Sequence, residues 1–114
     1  MTIEALTAAL REFARERDWD QFHSPKNLAA ALIVEAGELL EHFQWLSEAE
    51  SRALDEERRH AVSLELADVL LYLVRLADQL DVDLLAAADE KLAQNAQKYP
   101  VERARGTHLK YTEL

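Results

Sequence analysis

The sequence predicts an all-α fold: four helices in a bundle that is completed by association with further copies of the chain. Three observations carry this expectation. Apolar residues recur at helical spacing through most of the chain, glycine and proline number only two each, and one segment is apolar around most of a helix circumference. The 114 residues fit one domain, and a domain of that size buries about two thirds of the surface its unfolded chain exposes. Residues 1–114 therefore read as a single domain, with residues 100–114 as a tail whose candidate packing partner is a neighbouring subunit.

In the first helix Ile3, Leu6, Leu10 and Phe13 share a face, Thr2 is the expected N-cap and Glu4 lies in the first turn. This helix should fade near Asp18. The segment from Trp19 to His23 has no sustained period, and Ser24-Pro25 then supplies a capping residue and a proline at the first helical position. A second helix should run from Pro25 through Leu28, Leu32, Leu39 and Phe43 to near Trp45. Ser47-Glu48-Ala49-Glu50 has the form of a capping box and predicts a short helical connector. The third helix, from about Arg58 to Leu80, carries Val62, Leu64, Leu66, Val69, Leu70, Leu71, Leu73, Val74 and Leu76 on all sides. It must be covered on several faces, which three companion helices in so short a chain would not achieve; a homodimer or homotetramer is expected. The fourth helix should span Asp83 to Lys98 and end at Tyr99-Pro100. The tail from Val101 is expected to be irregular.

The formal net charge is −9, which argues against polymeric nucleic acid or an anionic membrane as partner, since both require a basic face. No stretch has the roughly 18 uninterrupted apolar residues of a membrane span. Cysteine is absent, so disulfides, thiolate metal sites and cysteine nucleophiles are excluded, and a cytoplasmic location is expected.

The residues most at odds with their surroundings are acids. Glu35 and Glu38 lie three apart on the second helix and Glu65 and Asp68 three apart on the third, so each pair projects from one face. Taken alone, either pair is better read as a solvated face. Glu65 and Asp68, however, are flanked by Leu64, Leu66, Ala67 and Val69, and a solvated stripe there would leave almost no arc facing a core. Two such charges about 5 Å apart repel by roughly 3 kcal/mol at an effective dielectric of about 20, and burial adds a desolvation cost. If the pairs face each other, a cation must offset this. Clustered carboxylates suit Mg²⁺, which takes oxygen ligands and is commonly completed by substrate phosphates. Tyr72, four after Asp68, lies on the same face. Lys26 sits at the start of the second helix, where it and the exposed N–H groups there could meet an anion.

The pattern Glu35-x-x-Glu38 followed by Glu65-x-x-Asp68 resembles the E-x-x-E…E-x-x-D signature of the all-α MazG-like nucleoside triphosphate pyrophosphohydrolases. Residues 16–23, Phe43-Gln44-Trp45, 68–74, 98–101 and 110–114 extend the resemblance over nearly the whole chain, toward the dCTP pyrophosphatase branch. The resemblance implies hydrolysis between the α and β phosphates of a nucleoside triphosphate, yielding a monophosphate and pyrophosphate. It implies Mg²⁺, with Mn²⁺ as a substitute, held by Glu35, Glu38, Glu65 and Asp68, one of the glutamates also orienting or deprotonating the attacking water. It assigns Trp19, His23 and Trp45 to the base pocket, with Phe22 as a further candidate, and Lys91 and Asn95 to the phosphates. Arg105, Lys110 and Tyr111 match the family in the tail.

A di-iron carboxylate bundle would also draw acids from facing helices but needs Glu-x-x-His pairs; position 41, three after Glu38, is Glu, and position 68, three after Glu65, is Asp. The other competing class is a helical interaction module with merely superficial acids. Within the enzyme reading, the expected substrate is dCTP or a modified cytosine nucleotide, in a pool-cleaning role, with dATP and dUTP as alternatives.

Overall fold

The computed structural model describes residues 1–114. Six α-helices and one 3₁₀ turn account for all its regular structure, without a strand, in two compact units, Met1–Asp81 and Val82–Leu114.

In the first unit, α1 (Ile3–Glu16) begins at Thr2, whose hydroxyl accepts the Ala5 N–H at 3.0 Å. Its end is a Schellman motif: Asp18 N–H donates to Arg15 O at 3.1 Å and Trp19 N–H to Ala14 O at 2.9 Å, with Asp18 left-handed at φ 53°. The Trp19 ring meets Phe13 edge to face, 5.7 Å between centroids. That apolar contact is the one that customarily accompanies the motif, and it fixes Trp19 against the end of the helix.

Helix α2 (Pro25–Glu41) starts at Ser24, whose hydroxyl accepts the Asn27 N–H at 3.2 Å. It stops four residues short of the expected Trp45. Phe43 N–H donates to Leu40 O at 2.9 Å and Leu46 N–H to Phe43 O at 3.0 Å, so three-residue turns take over from helical bonds while leaving the apolar spacing intact. The short α3 (Glu48–Ser51) carries the expected capping box between Ser47 and Glu50. Helix α4 (Glu56–Gln79) starts two residues before Arg58, because Asp55 caps it and Glu56 and Glu57 favour its positive end.

Helix α4 is the centre of this unit and packs against α2 and α1. Leu28 from α2, Ala14 from α1, and Val62, Val74 and Ala77 from α4 are buried. The other apolar sides are uncovered in the single chain: Leu64 and Leu66 on α4 are 56% and 52% exposed, and Ile33 and Leu40 on α2 are 71% and 63% exposed.

In the second unit, α5 (Leu84–Lys98) is capped by Asp83. The tail is not irregular: α6 (Val101–Ala104) begins directly after Pro100, and a 3₁₀ turn spans Tyr111–Glu113. A proline that ends one helix can equally precede the next, since it lacks only the N–H that a first turn leaves unused. Tyr111 folds back edge to face on Tyr99 at 6.0 Å, with the Lys98 ammonium 4.9 Å from its ring centre. No helix is long and apolar enough to cross a membrane.

Candidate active site

Glu35 and Glu38 come from α2, and Glu65 and Asp68 from α4. The packing of these two helices brings three of the four together: carboxylate oxygens of Glu35, Glu38 and Glu65 all lie within 4.8 Å of one another. Glu35 and Glu65 each keep one oxygen, Oε2, that is buried and accepts no hydrogen bond. An unsatisfied buried polar atom ordinarily costs about 1–3 kcal/mol, and more when charged. Two such atoms in one acidic cluster fit a hard divalent cation, and an all-carboxylate donor set suits Mg²⁺ or Mn²⁺ better than a softer metal.

Burial, then the neighbouring Glu38 carboxyl, then the charges of Asp68 and Glu65 push the Glu35 carboxyl up from its ordinary 4.5 to about 7. An acid whose folded pKa is raised favours folding while protonated. Its contribution is full below pH 4.5 and is lost as pH climbs to about 7. In chelator, wild type should therefore lose stability relative to Glu35→Gln between those values, and the two should run parallel above them. Denaturant titrations at pH 5 and pH 7.5 check this; an equal gap at both would contradict it.

Asp68 is half-buried and also lines a cavity of about 250 Å³, together with Leu10, Phe13, Trp19, His23 and Tyr72. Asp68 is not one of the three acids within mutual reach, but its charge acts on Glu35, so it stands between the charged cluster and an aromatic pocket. Positions 65, 68, 72 and 75 form one face of α4, so acids, Tyr72 and Arg75 follow one another along it. Trp19 and His23 reach the cavity from the loop after α1, their rings 6.1 Å apart.

Arg75 is the one buried charged side chain, at 5% exposure. Its Nη2 donates to Asp20 at 2.6 Å, its Nη1 to Asp78 at 3.4 Å and its Nε to His23 Nδ1 at 3.2 Å. Arg11 of α1 braces Asp78 from outside, its Nε donating at 2.7 Å. Burial first, and then the Arg75 charge, hold His23 below its ordinary pKa, with Asp20 opposing them. Arg75 is not among the site residues expected from the sequence, although it interrupts Leu73-Val74-Arg75-Leu76 just as Glu65 and Asp68 interrupt the turns before it.

Three further expected site residues of the first unit do not line this cavity. Trp45 is 86% exposed and does not line the cavity, because α2 ends before it and a turn carries it outward. Phe22 and Lys26 are exposed and also outside the cavity lining. Lys91 and Asn95 are exposed on α5 of the second unit.

Residues 31–114 match the MazG-like family, a stretch that contains all four acids. The chain is 50% identical to dCTP pyrophosphatase 1 of Rattus norvegicus and 46% identical to that of Homo sapiens, over 99% of its own length and 68% of theirs. The chain belongs to the MazG-like family. The crystal structure of a pyrophosphatase from Archaeoglobus fulgidus superposes with a TM-score of 0.81 at 43% identity, covering 85% of this chain and 91% of that one. The similarity to the dCTP pyrophosphatases covers 99% of this chain and so includes the segment before residue 31.

Proposed function

We propose that this chain hydrolyses dCTP, or a deoxynucleoside triphosphate bearing a modified cytosine, to the monophosphate and pyrophosphate in a Mg²⁺-dependent reaction, as a cytoplasmic nucleotide-pool cleaning enzyme. The broader activity, nucleoside triphosphate pyrophosphohydrolase, rests on the family and on relatives that bear that activity in their names. The observation that carries the reading is the shared position of Asp68, between the acidic cluster and the aromatic cavity.

Glu35, Glu38, Glu65 and Asp68 would hold the cation. When bound, Mg²⁺ neutralises the triphosphate, polarises the phosphoryl oxygens and lowers the pKa of coordinated water. The chain's own contribution is placement. Trp19, set by the Schellman turn, offers an aromatic wall to a base, and the cavity is large enough for a pyrimidine ring. His23 offers a ring nitrogen to the edge of that base, and Tyr72 lies one helical turn from Asp68. Lys26, Lys91 and Asn95 are offered to the phosphates, and Trp45 to the base, from surfaces that association with further copies would bring into play. Residues 1–114 then act as one domain, with the tail packed on a neighbouring subunit. The uncovered apolar sides of α2 and α4 support a homodimer or homotetramer.

A panel of canonical and modified deoxynucleoside triphosphates with Mg²⁺, products resolved by chromatography, tests the reaction. Monophosphate plus pyrophosphate, fastest from cytosine nucleotides, is expected; dATP or dUTP as best substrate would move the base assignment, and no turnover at all would leave a helical interaction module. Light scattering at micromolar concentration should give a mass of at least two chains, and a monomer would defeat the assembly.

A further inference from the structure

We propose that Arg75 is a specificity-determining positioning residue: by donating to Nδ1 of His23 it fixes that imidazole as an Nε2–H donor, which favours a base that presents an acceptor at N3, such as cytosine, over one that presents an N3–H, such as uracil. The proposal rests on the base-pocket reading of the cavity given above.

A guanidinium stays protonated and has donors only. An Nε–H directed at His23 Nδ1 at 3.2 Å therefore requires that nitrogen to be the acceptor, and a neutral imidazole that accepts at Nδ1 carries its proton on Nε2. The guanidinium is held in place on its other edge, with Nη2 on Asp20 and Nη1 on Asp78, and Asp78 is braced in turn by Arg11. Asp20 belongs to the same short loop as Trp19 and His23, so one side chain of α4 ties down the loop that supplies two walls of the cavity.

A second protonation of the ring would place a proton on Nδ1 opposite the Arg75 Nε–H, donor against donor. The buried cation and the apolar surroundings both oppose this, in the direction in which the His23 pKa moves. Nε2 forms no hydrogen bond within the chain, and is the nitrogen left for a ligand in the cavity that His23 lines. At N3 cytosine offers it an acceptor, whereas uracil and thymine turn an N3–H toward it, and two facing donors leave both unsatisfied; O2 is common to all three bases and does not discriminate. Lysine cannot replace the arginine in this role, since a single ammonium lacks the rigid fork that reaches His23 and both aspartates together.

Nitrogen-15 correlation spectra of the wild-type protein should show His23 with Nδ1 unprotonated and Nε2 protonated at neutral pH; a protonated Nδ1 would overturn the proposal without any variant. For Arg75→Met the two tautomers should interconvert, and the ratio of kcat/KM for dCTP over dUTP should fall about tenfold, mostly through KM for dCTP. Arg75→Lys should behave like Arg75→Met and serves in its place if circular dichroism shows the methionine variant unfolded. An unchanged dCTP/dUTP ratio in an active variant would also overturn the proposal. If wild type turned over no nucleotide, the pyrophosphohydrolase reading would fall and the base selectivity with it, an outcome separable from a wrong tautomer in an active enzyme.

Discussion

Glu65→Gln should lower pyrophosphate release by on the order of 100-fold or more while helix content stays at the wild-type level. Loss of a group that merely supports a metal ligand typically costs about 10–100-fold, so loss of a ligand itself should cost at least that. The change is nearly isosteric, and it replaces a buried carboxylate oxygen that has no hydrogen-bond partner in the chain. It removes charge from a cluster in which three carboxylates lie within 4.8 Å of one another. The apo fold should therefore be no weaker, and activity alone should suffer. Single-turnover product analysis beside circular dichroism tests this; turnover within a few-fold of wild type would detach the acids from the reaction.

The second large effect concerns stability. A cation that binds the folded state only, present at a hundred times its dissociation constant, contributes about 2.7 kcal/mol. For a domain near this length that corresponds to a rise in Tm of roughly 10 °C. Mg²⁺ or Mn²⁺ should produce this shift in wild type, chelator should reverse it, and Glu65→Gln should show little of it. Differential scanning calorimetry gives the answer, and a wild-type Tm indifferent to both ions over a broad concentration range would count against a built cation site. The same measurement separates an acidic cluster that needs a counter-ion from one that water satisfies.

Much of the arrangement was legible because chemistry interrupts periodicity. The helix carrying Glu65 and Asp68 is apolar around most of its circumference, so acids within it stand out, and packing sets Glu65 beside Glu35 and Glu38 of α2. Thr2, Ser24, Ser47 and Asp83 declared their helix starts through side chains that accept backbone N–H groups. Two of the remaining features are hidden in the sequence because they leave the apolar spacing unchanged. The turns at 42–45 preserve it, so α2 looked longer than it is, and the helical turn after Pro100 is too short to establish a period. Arg75 is hidden for a different reason: a lone arginine commonly reaches solvent by its own length, and only the positions of Asp20, Asp78 and His23 reveal why it stays inside. Trp45 shows the opposite limit, since a large aromatic side chain signals burial in the sequence yet stands in the open in a single chain.

The left-handed residue that closes α1 has a bearing on recognition. With its amide bonded to Ala14 and its indole edge against Phe13, Trp19 behaves as a rigid extension of the helix. A loop that had to be stilled on ligand arrival would forfeit conformational entropy and with it affinity. Here that ordering is completed during folding, so on the base-pocket proposal an incoming ring would meet a preorganised platform, and the association should draw little on the flexibility of the chain.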